Sequence, residues 1–478
     1  MATHQLIEHR SIDWIPAAER HGHVWSQFTV WFAANMQITT IVTGALAIVL
    51  GLSLTWAIVA ILIGNLVGAT VMALHSAQGP KLGVPQMIQS RAQFGFLGAI
   101  VPLVLVFLMY IGFFASSGVL GGQALSAWLG IPIVPSIIIV NAICTIGAIF
   151  GYNVIHHAEH YISVISGLGF LYLSIVLVLH YHGLARATAP GSFSGGIFLL
   201  AIAISATWQI TFAPYVADYS RYLPETTPMK STFLWTYTGS VIGTVWMMIF
   251  GAVVATLGIK AFNTDSVTFI VSLAPHASAF VFYIVILLGV FAINTLNLYG
   301  AFMSTVTTIT ALLKIRVGTQ SRAWFIVAVA ILGTIVASIG YSSFMTNFQN
   351  FILFLAYFLI PWTGVNLMDF YFVRRGRYDI KSITDIRDSI YGMWQWRTLT
   401  AYIIGIVVEI PFMSTTFYTG FMVPRLGGAD ISWILGIIVS AGLYAALHAS
   451  TYRKESAHFA QAIPAGLTVT GQSTTLRA

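Results

Sequence analysis

From residue 24 almost to residue 450 the chain repeats one pattern, a long apolar run closed by a short polar interruption. Segments such as "SIIIVNAICTIGAIF" and "VFYIVILLGVFAI" are continuously apolar and lack the two-residue alternation of membrane strands. A helix crosses a bilayer with about 20 mostly apolar residues. The runs therefore predict twelve helical spans, at 24–50, 54–75, 97–126, 131–150, 160–181, 194–217, 231–257, 278–310, 323–341, 346–371, 398–419 and 430–449. Two of them carry polar or helix-disfavouring residues near mid-depth, "FAANMQITT" in the first and "ATWQITFAPYVADY" in the sixth. In carriers built from two inverted five-helix repeats the first helix of each repeat is discontinuous at the midplane, and its unwound backbone faces a cavity. Asn35 and Gln37 fit that place, because a side-chain amide facing lipid is costly. Hydrogen bonds between helices account for such amides equally well.

Composition agrees with the pattern. The chain is 58% hydrophobic and 7% charged, which no water-soluble domain keeps dispersed. Its net charge of +7 reflects topology rather than a nucleic-acid surface: with the N-terminus inside, 18 of the 21 Lys and Arg fall in cytoplasmic segments. The lone Cys144 lies in a span, so no intrachain disulfide forms. Residues 1–23 lack a signal-peptide core and read as a retained cytoplasmic arm. Residues 24–371 then form a ten-helix core with repeats at about 24–181 and 194–371. A cytoplasmic loop follows at 372–397, two accessory helices at 398–449, and a small, polar tail expected to be disordered at 450–478. Nothing in the pattern signals an oligomeric state.

The eighth span adds chemistry. Asn294 and Asn297 are three residues apart and share a helix face, with Tyr299 one step round. An amide presents donor and acceptor side by side and so matches the edge of a nucleobase or similar flat heterocycle. Trp31, Phe32, Phe113, Phe114, Trp208 and Phe212 offer faces for stacking, worth about 1–3 kcal/mol per base. Most aromatic residues in so aromatic a chain face lipid or core.

Five segments, in order, resemble signatures of the purine-cytosine permease family, the nucleobase-cation symporter-1 group, and closest to its fungal-type branch. They are "IEHRSIDWIPAAERHG", "HSAQGPKLGVPQMIQSRAQFGFLGA", "GGQAL", "APYVADYSRYLP" and "PWTGVNLMDFYFVRRGRYD". The resemblance implies an all-α polytopic membrane protein of the LeuT type: a 5+5 inverted-repeat core with helices 1 and 6 broken, and alternating access around a central site. It implies a small planar heterocycle as solute and the inner or plasma membrane as location, both termini cytoplasmic. It also implies a co-transported cation in place of a bound cofactor. Solute contacts are expected from Phe32, Asn35, Gln37, Phe113, Ser117, Trp208, Gln209, Phe212, Asn294 and Asn297. Glu159, Asp218, Trp31 and Thr295 are expected to serve coupling and gating.

Sodium-coupled relatives place two adjacent hydroxyl residues in the eighth span, where this chain has Ala292 and Ile293, neither of which offers an oxygen to a hard cation. "AINTLNLY" resembles instead the proton-coupled fungal motif, although Ile293 and Leu296 depart from its Asn and Pro. Protons are therefore favoured over sodium, with Glu159 in "HHAEHY" as the first coupling candidate, ahead of Glu409. Cytosine or a purine is the expected solute; allantoin, a hydantoin or a pyrimidine vitamin precursor is the alternative. His156 and His160, four apart, admit a remote metalloenzyme reading, but a catalytic metal needs a third ligand.

Overall fold

A computed structural model describes residues 14–150, 152–180, 193–313, 319–384 and 389–450, with side chains at 150–160 and 307–319 outside the description. Each of the twelve apolar runs contains helix. The first run is a bent pair, α1 (Ser26–Ala34) and α2 (Ile38–Val49), turning through 62°. Next come α3 (Leu54–Ser76) and a short helix in the following loop, α4 (Gln86–Phe94). They are followed by α5 (Ile100–Leu129), α6 (Ile133–Phe150) and α7 (Tyr152–His180). The sixth run is again a pair, α8 (Gly195–Ile210) and α9 (Val216–Ser220). Then α10 (Met229–Leu257), α11 (Ala279–Leu313), α12 (Thr319–Gly340) and α13 (Phe344–Met368) complete the core. Two accessory helices follow, α14 (Trp396–Glu409) and α15 (Ser432–His448). Among the described residues, six helical stretches are long and apolar enough to cross a bilayer, and the bent pair makes a seventh.

Both breaks have local causes. Gln37 leaves the helix with φ −142° and ψ 157°, and its neighbours close the gap with short bonds such as Gln37 N–H to Asn35 O. In the sixth run Pro214 has no N–H and disfavours helical backbone at Ala213, so the chain turns through 211–215 before α9. The eleventh run is shorter than the predicted 398–419. Pro411 ends α14 in a single tight turn, Ile410–Phe412, and the chain doubles back with Ser414 bridged to Thr419.

Glycine decides how the core packs. A Cβ on Gly44 would overlap the backbone of Met248, one on Gly251 the backbone of Ile41, and one on Gly68 the backbone of Ala206. So α2 crosses α10, and α3 crosses α8, with main chains touching. The helices α1, α2, α3, α8 and α10 form one group. A second group, α5, α6, α11 and α12, packs about α5, where Gly118 and Gly122 admit Asn141 and Ile137 of α6.

The end of the molecule that carries the basic loops is tied by buried polar contacts. Arg374 and Asp369 pair at 2.6 Å, and Asp369 also accepts from Tyr378, Tyr444 and Gln93. Removing one partner of a buried pair costs about 3–5 kcal/mol. Arg374→Met is accordingly expected to lower the melting temperature of the detergent-purified protein well below that of the wild type.

Candidate functional site

The broken helices of the first group face the second group, and polar side chains gather in two clusters, one in each group. In the first, the Asn35 amide donates to Trp31 O at 2.8 Å and to Ser240 Oγ at 3.5 Å, while its Oδ1 accepts from Trp208 Nε1 at 3.0 Å. Gln209 beside it accepts from Ser240 Oγ at 2.6 Å and donates to Asn65 Oδ1 and Thr244 Oγ1 at 2.9 and 3.0 Å. These atoms are thus taken up by protein partners. They fix Trp208 relative to the break in the first run.

In the second cluster Asn294 donates to Phe114 O at 3.0 Å and to Asn141 Oδ1 at 3.5 Å, and accepts from Asn297 Nδ2 at 3.4 Å. Asn141 continues to Thr334 on α12 at 3.1 Å. The shared face read from the spacing of Asn294 and Asn297 is therefore a shared polar cluster. Asn141, Asn65, Ser240 and Thr244 went unread, because hydroxyl and amide residues are scattered through their runs and nothing within one run shows which of them meets a residue of another.

Aromatic rings bridge the clusters. Phe113 meets Trp208 edge to face, centroids 5.8 Å apart, and Phe351 closes its other side at 5.1 Å. Phe212 packs on both Trp208 and Trp31, at 6.0 and 5.5 Å. Ser117 is buried one turn beyond Phe113. Phe32 points elsewhere, lying between Phe28 and Trp246 against α10.

At the break itself two buried oxygens have no hydrogen bond within the protein, Gln37 Oε1 and Thr40 Oγ1. Gln37 Nε2 is held by Ala34 O at 2.9 Å, which sets the direction of the free carbonyl. An unpartnered acceptor in a buried place costs about 1–3 kcal/mol unless a ligand or water fills it. Thr40 was not singled out from the sequence; a hydroxyl in a helix interior gives no signal by itself.

The expected gating residues divide. Trp31 is buried against Phe212, Tyr215 and Tyr219, and so joins α1 to α9. Asp218 accepts the N–H of Gln86 at 2.7 Å, tying α9 to α4, while Arg221 donates to its carbonyl. Thr295 donates to Phe291 O at 2.7 Å and to Cys144 O at 3.4 Å, in the contact of α11 with α6. Glu159, His156 and His160 lie outside the residues whose side chains are described.

Comparison with known proteins covers nearly the whole chain. Residues 14–436 match a family described as permeases for cytosine/purines, uracil, thiamine and allantoin. YxlA of Bacillus subtilis (strain 168), whose own naming as a purine-cytosine permease is provisional, is 46% identical over 452 residues, 95% of this chain and 98% of that protein. The purine-cytosine permease fcyB of Emericella nidulans is 28% identical over 468 residues, 94% of this chain and 89% of that one. Among solved structures, inward-facing Mhp1 superposes with a TM-score of 0.76 at 19% identity, covering 96% of this chain and 99% of that one. Mhp1 closed on bromovinylhydantoin gives 0.72 at 19% identity, covering 94% and 96%.

Proposed function

The chain belongs to the family of permeases for cytosine/purines, uracil, thiamine and allantoin, a multi-pass membrane carrier with the Mhp1 fold, and we propose that it imports cytosine or a purine by proton symport. The observation that carries the solute class is a pair of amide clusters, one at the broken helices and one on α11 and α6, with the contact of Trp208 and Phe113 between them. A flat base lies on one of these rings. Asn297 reads its edge, while Gln37 Oε1 and Thr40 Oγ1 take ring or exocyclic N–H groups. Asn35, Gln209 and Asn294 act as struts that hold those groups in place.

Protons are favoured by the side chains of α11. Where a sodium site of this fold asks for hydroxyl oxygens, Ala292 and Ile293 offer hydrocarbon. The distribution of basic residues among the loops supports an orientation with both termini in the cytoplasm. Coupling then requires that base and proton together stabilise the closed state more than either does alone.

The test is uptake of labelled cytosine, adenine, hypoxanthine, allantoin and a hydantoin into proteoliposomes under imposed proton or sodium gradients. Proton-driven accumulation of cytosine or a purine is the expected result. In Asn297→Ala, loss of one edge contact worth about 1–3 kcal/mol should weaken apparent affinity about five- to 150-fold. Accumulation of allantoin or the hydantoin alone would reassign the solute, and sodium dependence would reassign the ion.

A further inference from the structure

Among the described residues, six buried polar atoms without a hydrogen bond in the protein fall together at the basic end of the core. They are His75 Nε2 near the end of α3 and Gln78 Oε1 just past it, Gln86 Oε1 and Gln93 Oε1 on α4, and Thr363 Oγ1 and Asn366 Nδ2 on α13. The opposite ends of these side chains are fixed: Gln78 Nε2 donates to Asn366 Oδ1 at 2.9 Å, and Gln93 Nε2 to Asp369 Oδ2 at 2.9 Å. His75 lies flat on Trp362, centroids 5.0 Å apart and planes 5° from parallel, and Trp362 Nε1 is held by Ser90 Oγ at 3.0 Å. Six dry polar atoms would cost more than a marginally stable fold can carry. Water, which makes about three hydrogen bonds in such places, fits their number and mixed donor and acceptor character.

We propose that α3, α4 and α13 enclose a hydrated chamber, and that His75 in it takes up the co-transported proton on its way to the basic face. The proposal deepens the proton-symport reading and rests on it.

Gln86 makes two protonation states of His75 tenable. Its Nε2 donates to His75 Nδ1 at 3.2 Å, so the neutral ring carries its proton on Nε2. A half-turn of the Gln86 amide, which gives up its donation to Gln89 Oε1 at 3.4 Å, first frees the Nδ1 lone pair. A hydronium in the chamber then gives up a proton: its O–H bond breaks, an N–H bond forms at Nδ1 with no change of oxidation state, and Gln86 Oε1 accepts the new N–H. The face of Trp362 supports the imidazolium as a cation over an indole.

The charged and titratable groups about the chamber connect it to the moving parts. Asp218 on α9 accepts the Gln86 N–H at 2.7 Å, and Ser220 Oγ donates to Ser76 O at 2.7 Å. Asp369, with Arg374, lies beyond Gln93; Arg91 stands on α4; Tyr371 donates to Leu74 O at 2.7 Å. Charge arriving on His75 thus acts between the broken sixth helix and α13.

The experiment uses the full chain in proteoliposomes with labelled cytosine, comparing proton-driven accumulation with counterflow at equal pH on both sides. His75→Gln should cut accumulation about tenfold or more and leave counterflow within about twofold, since glutamine keeps a polar side chain in the chamber but takes up no proton. Gln86→Met, which keeps the imidazole and removes the amide, should move the pH of half-maximal accumulation by about half a unit or more. Wild-type accumulation in His75→Gln overturns the assignment. So does loss of counterflow in the same proportion from protein that is folded and inserted. Accumulation driven by sodium in the wild type overturns the coupling reading itself, and is seen without any variant.

Discussion

Trp208→Ala is expected to depress nucleobase uptake at low solute concentration about a hundredfold or more, while the protein still inserts. The indole serves two purposes at once. Its Nε1 donates to Asn35 Oδ1 at 3.0 Å, and its ring meets Phe113 at 5.8 Å. Loss of a stacking face is worth about 1–3 kcal/mol, and the orphaned Asn35 oxygen adds about 1–3 kcal/mol of desolvation cost. Trp208→Phe separates the two, because it keeps a face and removes the donor. It should fall between wild type and alanine in uptake. Equal uptake by all three proteins would remove Trp208 from the site.

Gly251→Ala and Gly44→Ala should each strip most folded protein from the membrane, although each adds one methyl group. At both positions the new Cβ would meet main chain of the crossing helix, Ile41 and Met248 respectively, and backbone cannot swing aside as a flexible side chain can. The cost belongs at or above the top of the usual overpacking range of about 1–3 kcal/mol. Gly442→Ala is the matched control: it lies in α15, and nothing stands within 4 Å of its added Cβ. Its yield and melting temperature should equal or slightly exceed those of the wild type. Fluorescence-detected size exclusion of tagged variants reads all three.

The sequence made the helices legible because lipid imposes a length and a polarity that few other environments do. Both breaks were legible for the same reason, since Asn35, Gln37 and Pro214 stand where apolar residues are expected. Asn294 and Asn297 could be paired because one helix sets their spacing. The rest of the site could not be read, because it is assembled across helices. Asn141, Asn65 and Ser240 stand in three different runs, and only the fold shows that they meet Asn294, Gln209 and Asn35. Phe32, a ring next to the break that was expected at the solute, stacks on Trp246, a neighbour from another run that its own run does not reveal. The family resemblance gave the architecture but not the partners of these side chains. The end of α14 was misplaced because its continuation past Pro411, "STTFYTG", is hydroxyl-rich and still aromatic enough to pass for an apolar run.

Helix α4 bears on how the protein is made. All nine of its residues are buried, although Gln86, Gln89, Ser90, Arg91 and Gln93 are polar or charged. Such a segment has no stable place in lipid on its own. Its partners are synthesised much later: Trp362 bonds Ser90, the Ile383 carbonyl receives Arg91, and Thr398 donates to Gln93 O. While the ribosome works through the intervening helices, α4 must wait in water at the bilayer surface. Contacts so distant in sequence close late. The seam at the basic end is therefore the last part of the core to be completed during biosynthesis, and a nascent chain released before residue 398 carries its transport helices without the segment that seals them.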